Sequence, residues 1–395
     1  MTEPLEPVPH AVALPAGFRA GAVACGLKKQ GALDLGLLLA DQPVAAAAVF
    51  TRNRLVGAHI EVCRDHLARS NGLVRAVLVN ARNANCATGR QGVDDARRCC
   101  RELASRLRCP PEQVLMASTG PIGAPLPTDR IVGHLDALLD AVAPDGGMAF
   151  ARAIMTTDTH PKVASTRTEH GLATGFAKGA GMVHPDMATM LGFLLTDLGL
   201  TTGTMASMLQ RVAARTFHRV TVDGDTSPND TLMVLGSSRT PADTAAVEAA
   251  LTEVGTKLAR QIAADGEGAT RLVTVQVRGA RSEAEATDVG RTIATSPLVK
   301  TAVAGRDPNW GRILSAAGRA GIEFTAERAR VWVGSAEVFA DGKPWPDREA
   351  VAHRHLCDER EVVLGVDLGL GTAAADVWSC DLTADYVRIN ADYRS

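Results

Sequence analysis

Aromatic side chains make up only 4% of this 395-residue chain, and just two of them are tyrosines. A core built without many large rings must rest on small aliphatic side chains packed in close layers. Charge of one sign is also lacking: 42 basic and 44 acidic side chains leave a net charge near −2, which removes the overall electrostatic case for nucleic acid or an anionic membrane as partner. No stretch reaches the roughly 18 uninterrupted apolar residues of a membrane span. The eight cysteines (Cys25, Cys63, Cys86, Cys99, Cys100, Cys109, Cys357, Cys380) contain no Cys-x-x-Cys pair, which argues against a zinc ribbon or a redox motif. Reduced and mostly buried thiols are expected instead. The opening MTEPLEPVPHAVALPAGF carries acids and prolines where a secretory signal needs basic residues and then an apolar run, so a cytoplasmic location is expected.

What remains is ordinary globular material, 46% hydrophobic and 22% charged, long enough for one large domain or two intertwined lobes. Residues 20–39 and 44–50 read as paired strands broken by the polar turn Lys28-Lys29-Gln30-Gly31, and 74–80 as a strand running into the amide-dense loop Asn80-Ala81-Arg82-Asn83-Ala84-Asn85. Val93, Ala96, Cys100, Leu103 and Leu107 mark a helix stopped by Pro110-Pro111; its arginines alternate with acids, so they predict a solvated face rather than a basic patch. Residues 113–117 predict a strand ending at Ser118-Thr119-Gly120. Ile131, Leu135, Leu138, Leu139 and Val142 predict one helix.

Beyond residue 189 the expected order is helix, strand, helix, strand, with Met205, Met208 and Val212 on one helical face and Val247, Leu251, Val254, Leu258 and Ile262 on another. Val273, Val275 and Val277 alternate as a half-buried strand, and Ser282-x-x-Glu285 reads as a capping box. Residues 330–333, 337–339, 362–368 and 377–381 are strand candidates, and Tyr386 to Asn390 looks strand-like. The fold class expected is mixed α/β, with helices covering sheets.

Three features invite functional readings. His353 and His355, two apart, fit one face of a strand but lack a third metal ligand, so no metal is expected. EVVLGVDLGLG (361–371) has the Asp-x-Gly-x-Gly of a phosphate-binding loop after an apolar strand, which a Gly-rich sheet edge explains equally well. KGAGMVHPDMATML (178–191) places two glycines and a proline before Thr189 and an apolar run after it, so a hydroxyl stands where a loop becomes packed structure. Polar clusters at Ser118-Thr119-Gly120 and Thr156-Thr157-Asp158-Thr159 accompany it.

The last of these stretches, with IMTTDTHPK (154–162), VDGDTSPNDT (222–231), DGEGAT (265–270), SPLVKTA (296–302), DPNWGRI (307–313) and YVRINADYRS (386–395), resembles the ornithine acetyltransferase family over nearly the whole chain. The resemblance implies a precursor that cuts itself between Ala188 and Thr189, giving an amino-terminal chain 1–188 and a carboxy-terminal chain 189–395. Those chains would form a heterodimer within a heterotetramer. It implies acetyl transfer from N-acetylornithine to glutamate through an acetyl-threonine, with acetyl-CoA as an additional donor in some members and no cofactor.

The chemistry is coherent with those residues. A threonine hydroxyl needs a base beside it, and a freed α-amino group, with a reference pKa of about 7.7 to 8.0, is one. The resemblance assigns the oxyanion hole to Thr119 and Gly120, and substrate contacts to Thr156, Lys178, Thr189, Glu267, Asn390 and Ser395, with Thr157 a near alternative to Thr156. A lysine suits a substrate carboxylate and a glutamate an ammonium. His184, upstream of the scissile bond, would be left on the other chain. The chain departs from the usual family pattern at Arg82, Pro121, Asp186 and Ser395. Three other readings stay open: an N-terminal-threonine amidohydrolase or aminopeptidase, a specialised acetyltransferase of secondary metabolism, and a binding protein or kinase built on residues 361–371.

Overall fold

An antiparallel pair leads the sheet of the larger of two units: β1 (Phe18–Val23) and the sixteen-residue β2 (Leu35–Phe50), with Phe18 opposite Ala40 and Val23 opposite Leu35. The computed structural model describes residues 7–184, 190–240 and 242–392. Glu6–His218 and Asp225–Leu258 make the larger unit, Arg219–Gly224 and Ala259–Tyr393 the smaller. Among the described residues no helix is long and apolar enough to cross a membrane.

The larger unit adds β3 (Leu73–Asn80), β4 (Val114–Ser118), β5 (Lys162–Thr168), β6 (Gly171–Lys178), β7 (Leu191–Leu198) and β8 (Thr231–Thr240) in the order β4-β3-β2-β8-β7-β6-β5, with β1 on β2. The register of β2 with β3 shifts between Leu39 and Val44, an irregularity of the kind that bends a strand. Two strands that follow residue 189, β7 and β8, lie in the middle of this sheet, between β2 and β6, which precede it. Chains 1–188 and 189–395 would therefore share one hydrogen-bonded ladder.

The larger unit's helices are α1 (Ala58–Arg69), α2 (Gly89–Leu107), α3 (Thr128–Gly133), α4 (Leu135–Asp140), α5 (Gly147–Ala153) and α6 (Thr202–Arg215). Ala96, Cys100 and Leu103 bury the expected face of α2. On its solvated side Arg98 pairs with Asp129 at 2.7 Å and Arg106 with Asp136 at 2.8 Å. The single helix predicted over 131–142 is two short ones, α3 and α4, broken at His134, although Ile131, Leu135 and Leu138 are buried as predicted. A second correction concerns the order after residue 189: strand β7 precedes α6. All eight residues of β7 are buried, so no polar face alternates with the apolar one to announce it. Phe150 stacks edge-on against Phe176 and Phe193, at 5.3 and 5.5 Å between centroids, and anchors one core among alanines, valines and leucines.

Helix α7 (Thr244–Ala264) counts with the larger unit to Leu258 and with the smaller from Ala259. The smaller unit holds β9 (Leu272–Ala280), α8 (Glu283–Ala294), α9 (Pro297–Ala304), α10 (Trp310–Gly318), β10 (Arg330–Val333), β11 (Ala336–Ala340), β12 (Lys343–Pro344), α11 (Glu349–Asp358), β13 (Glu361–Asp367), β14 (Ala373–Cys380) and α12 (Ala384–Asp392). Its sheet runs β12-β11-β10-β13-β9-β14, with β13 and β9 parallel.

Several expectations change in this unit. The capping box is half formed: Ser282 Oγ accepts the Glu285 amide at 3.2 Å, but Glu285 takes the amide of Arg281 instead of reaching back to Ser282. His353 and His355 lie on helix α11 rather than a strand, where two positions are about 200° of rotation; their rings go separately to the Arg306 carbonyl and the Val363 amide. The run Tyr386 to Asn390 is helical, and α12 buries none of its residues, so no apolar stripe was present to reveal a helical period.

The loop after β13 is a sheet-edge turn. Asp367 Oδ1 accepts the Gly369 amide at 2.8 Å, and the amides of Leu370 and Gly371 both donate to the Gly279 carbonyl. Those three N–H groups are already committed, which removes the phosphate-loop reading.

Candidate active site

Lys178 closes β6 and Leu191 opens β7, and the two stand opposite each other in antiparallel register, with Leu191 also level with Thr231 of the parallel β8. The segment that joins β6 to β7 contains Ala188 and Thr189. Both, like Ser395, lie outside the described residues. Its two shoulders are described in full.

The first shoulder is a buried polar assembly. Lys178, only 5% exposed, donates from Nζ to Thr119 Oγ1 at 3.2 Å. Because that oxygen accepts from an ammonium, its own proton is available to a third group. The Thr119 amide is taken by the Asn80 carbonyl at 3.1 Å, and its carbonyl by the Asn83 amide at 3.0 Å. Thr119 can thus offer only its hydroxyl, whereas the Gly120 amide donates to no group among the described residues. Glycine is required at 120: φ is 142°, and a Cβ there would lie 2.4 Å from the Arg82 carbonyl carbon.

The amide-dense loop that follows β3 turns out to be scaffolding. Asn80 bridges the Asn83 carbonyl and the Ser118 hydroxyl, Asn83 Oδ1 accepts the Asn85 amide, and Asn85 Nδ2 reaches the Gly92 carbonyl. Arg82, Asn85 and Ala87 adopt φ of 68°, 44° and 57° to make the path, left-handed backbone that side chains rarely take without compensation. Asn229, just before β8, ties the loop from the far side by donating to the carbonyls of Ala84 and Ser118.

Asp158 is the node of the second cluster. One carboxylate oxygen accepts the Thr156 amide at 2.9 Å; the other accepts Lys162 Nζ and the Gly179 amide, both at 2.7 Å. Neither Asp158 nor Lys162 exposes any side-chain surface. Burial alone would raise the Asp158 pKa, but Lys162, Lys178 and the Gly179 amide outweigh it and hold the carboxyl well below its ordinary value. Thr156 and the residue after Lys178 are thereby hung on one carboxylate. Lys28 stands close enough to feel both Asp158 and Lys178; burial lowers its pKa to about 8, while its Nζ donates to the carbonyls of Leu33, Arg152 and Ala153.

On the other shoulder Met190 is buried and clamped, its carbonyl accepting from Thr231 and its amide donating to Asp230 Oδ1 at 3.1 Å. Burial pushes the Asp230 carboxyl well above its ordinary value, against the pull of Lys178, the Met190 amide and Ser227. Asp230 and Lys162 were not singled out from sequence. The available signals were an acid two residues ahead of the apolar run Leu232-Met233-Val234-Leu235, and a lysine four residues beyond an aspartate.

In the smaller unit, Asn390 Nδ2 donates to Glu267 Oε2 at 2.9 Å and to the Tyr386 carbonyl at 3.1 Å. The helical form of α12 makes the second bond. Gly268 permits the approach of α12: at φ 71°, a Cβ there would meet the Tyr386 nitrogen at 2.4 Å. The residues named from sequence thus fall into two contacts, Thr119 with Lys178 and Glu267 with Asn390. No group of three or more His, Cys, Asp or Glu among the described residues is placed to hold a metal ion. Six of the eight free thiols are buried, and burial pushes those of Cys25, Cys63 and Cys99 up to about 12.

Comparison with known proteins adds an independent observation. The family model described as the ArgJ family matches residues 19–395. The arginine biosynthesis bifunctional protein ArgJ of Deinococcus radiodurans is 46% identical over 398 residues, covering 100% of both chains. The protein of the same name from Parasynechococcus marenigrum is 44% identical over 400 residues, 100% of this chain and 97% of that one. Among solved structures, the Bacillus halodurans ArgJ protein aligns with 39% identity and a TM-score of 0.49, covering 51% of this chain and 98% of its own. An ornithine acetyltransferase from Mycobacterium tuberculosis, solved with ornithine, aligns with 36% identity and a TM-score of 0.42, covering 44% of this chain and 94% of its own.

Proposed function

This chain belongs to the ArgJ family, and from that premise we propose that it is an acetyltransferase of arginine biosynthesis which moves acetyl from N-acetylornithine to glutamate. The observation that carries the mechanism is the buried Lys178–Thr119 contact beside the uncommitted Gly120 amide. Thr189 Oγ attacks the acetyl carbonyl, and its proton passes to the α-amino group that cleavage after Ala188 has freed. The developing oxyanion receives the Thr119 hydroxyl and the Gly120 N–H; loss of one such donor costs about 100- to 1000-fold in rate. Lys178, already donating to that hydroxyl, orients its proton outward and adds positive charge at the same place. Ornithine leaves with the proton held by the amine, and the amino group of glutamate then attacks the acetyl-threonine ester.

Cleavage at Ala188–Thr189 fits the fold physically. With β7 and β8 enclosed between β2 and β6, the two chains stay joined by the sheet after the peptide bond between them is gone. We propose that they act as a heterodimer within a heterotetramer in the cytoplasm, with Thr156 and Lys178 on the substrate carboxylate, Glu267 on its ammonium, and Asn390 and Ser395 assisting. Acetyl-CoA as a first donor is proposed on the resemblance alone; rescue of a strain lacking acetylglutamate synthase tests it.

Intact mass of the purified protein is the primary experiment. The wild type should give two chains meeting at Ala188 and Thr189, and Thr189→Ala one chain of 41.4 kDa. Two fragments from the alanine variant would sink the mechanism. Acetyl transfer to glutamate should exceed acetate release; the reverse would make the enzyme an amidohydrolase.

A further inference from the structure

Cys357 and His353 form a pair for which the transfer mechanism has no use. They lie four residues apart on α11 and so share one side of the helix, while Ala352 and Leu356 are buried in the core of the smaller unit. Cys357 Sγ stands 3.4 Å from His353 Nε2. The other ring nitrogen, Nδ1, is 2.9 Å from the Arg306 carbonyl oxygen. A carbonyl can only accept, so Nδ1 carries a hydrogen, and in the neutral imidazole Nε2 then holds the lone pair. The bond between the two side chains therefore runs from the Cys357 S–H to His353 Nε2.

The Arg306 carbonyl is itself held in place. It belongs to the turn that ends α9, where the amides of Gly305, Arg306 and Asp307 donate to the carbonyls of Thr301, Val303 and Ala302, and Arg306 takes φ 58°. A thiol, a basic nitrogen aimed at it and a third group that orients the base are the parts by which a cysteine is activated as a nucleophile. The other seven thiols stand differently. Burial is the leading cause that raises the pKa of each. Six of them are closed off from solvent; the seventh, Cys109, is half-buried like Cys357, but the charged group acting on it is Arg75, which is no base.

We propose that Cys357 is a site of reversible modification by the disulfides of small thiols, with His353 as its base. As the Cys357 sulfur bonds to one sulfur of the incoming disulfide, its proton goes to His353 Nε2. The incoming S–S bond breaks, and the departing sulfur takes the proton from Nε2 and leaves as a thiol. One disulfide is exchanged for another with no outside oxidant, and an excess of small thiol runs the step backwards.

The probe is oxidised glutathione, incubated with the purified protein and followed by intact mass and peptide mapping. One glutathione should add, at Cys357, whether the protein is the full chain or is cut after Ala188, so the result does not depend on self-cleavage. Excess reduced glutathione should remove it, and Cys357→Ser should stay unmodified. In His353→Gln the reaction at Cys357 at pH 7 should slow by about 10-fold, a modest factor because an unassisted thiol is already a few per cent thiolate. A ring that only shields the sulfur would act with the opposite sign, since its removal would speed the reaction. An equal or faster rate in the glutamine variant overturns the proposal, as does a wild type that takes no glutathione or takes it first at Cys109. Should the glutamine variant lose its fold, native and urea-unfolded wild type are compared at pH 7: Cys357 should react faster in the native chain, and a native rate no faster than the unfolded one ends the proposal.

Discussion

Asp158 and Glu267 are both carboxylates that hold a neighbour assigned to substrate, and they do it under opposite conditions. Asp158 has no exposed side-chain surface and takes three donors, one of them the ammonium of Lys162, whose side chain is equally buried. Glu267 is half-buried and takes an amide from the exposed Asn390 on a helix with no buried residue. Desolvated charges hold one geometry or cost a great deal; a solvated contact exchanges with water and contributes little. The difference teaches that the Thr156–Lys178 cluster is set before substrate arrives, whereas the Glu267–Asn390 pair can readjust on binding.

The largest effect should come from removing the counterion at the buried end. Lys162→Met removes the buried ammonium paired with Asp158, leaving it to Lys178 and two backbone amides, and should lower stability by about 3–5 kcal/mol, read from urea unfolding. A loss under about 1 kcal/mol would erase the contrast.

An intermediate effect should appear at His59, which extends the buried polar region. Thr231 Oγ1 donates to the Asn229 carbonyl, so it must accept from His59 Nε2–H, and His59 Nδ1 is left buried with no partner among the described residues. Burial lowers the His59 pKa from 6.5 to about 3. Between those values the unfolded chain binds the proton and the folded one does not, so this term stabilises the fold above pH 6.5 and is progressively lost as pH falls. In His59→Gln the slope of unfolding free energy against pH, measured from 6.5 to 5, should be shallower by up to about 1.4 kcal/mol per pH unit. Parallel slopes would show that His59 is not held neutral.

The smallest change in stability belongs to the exposed end. Glu267→Gln should alter unfolding by no more than about 0.5 kcal/mol while raising KM for the amine-bearing substrate. A destabilisation comparable to that of Lys162→Met would mean that the two regions are built alike.

Much of the fold was legible because the periodicities were clean. Strand β9 and the faces of α2 and α7 followed their alternation or three-to-four spacing. The failures share a physical cause. Strand β7 is buried on both faces and α12 on none, so neither shows the amphipathic contrast from which a period is read. His353 and His355 were misplaced for a related reason, since two residues alone cannot distinguish a strand from a helix. At the site, Thr119, Gly120 and Lys178 were reached through motif company, and Asp230 was missed because an acid before an apolar run carries no pattern of its own.

The sequence by itself determined the family, the mixed α/β class and the chemical types present: a hydroxyl after a glycine-rich loop, a lysine, a glutamate and a strand-end glycine. These depend on residue identity and order, which the chain carries openly. Only the tertiary structure decided which polar groups were already spent and which were free. It committed the amides of the 367–371 turn, turned the asparagine loop into a frame for Thr119 and Gly120, filled both oxygens of Asp158 and set the Asp230 carboxyl on the Met190 amide. Hydrogen-bond satisfaction and desolvation are properties of three-dimensional neighbours distant in sequence, so no local pattern could have stated them.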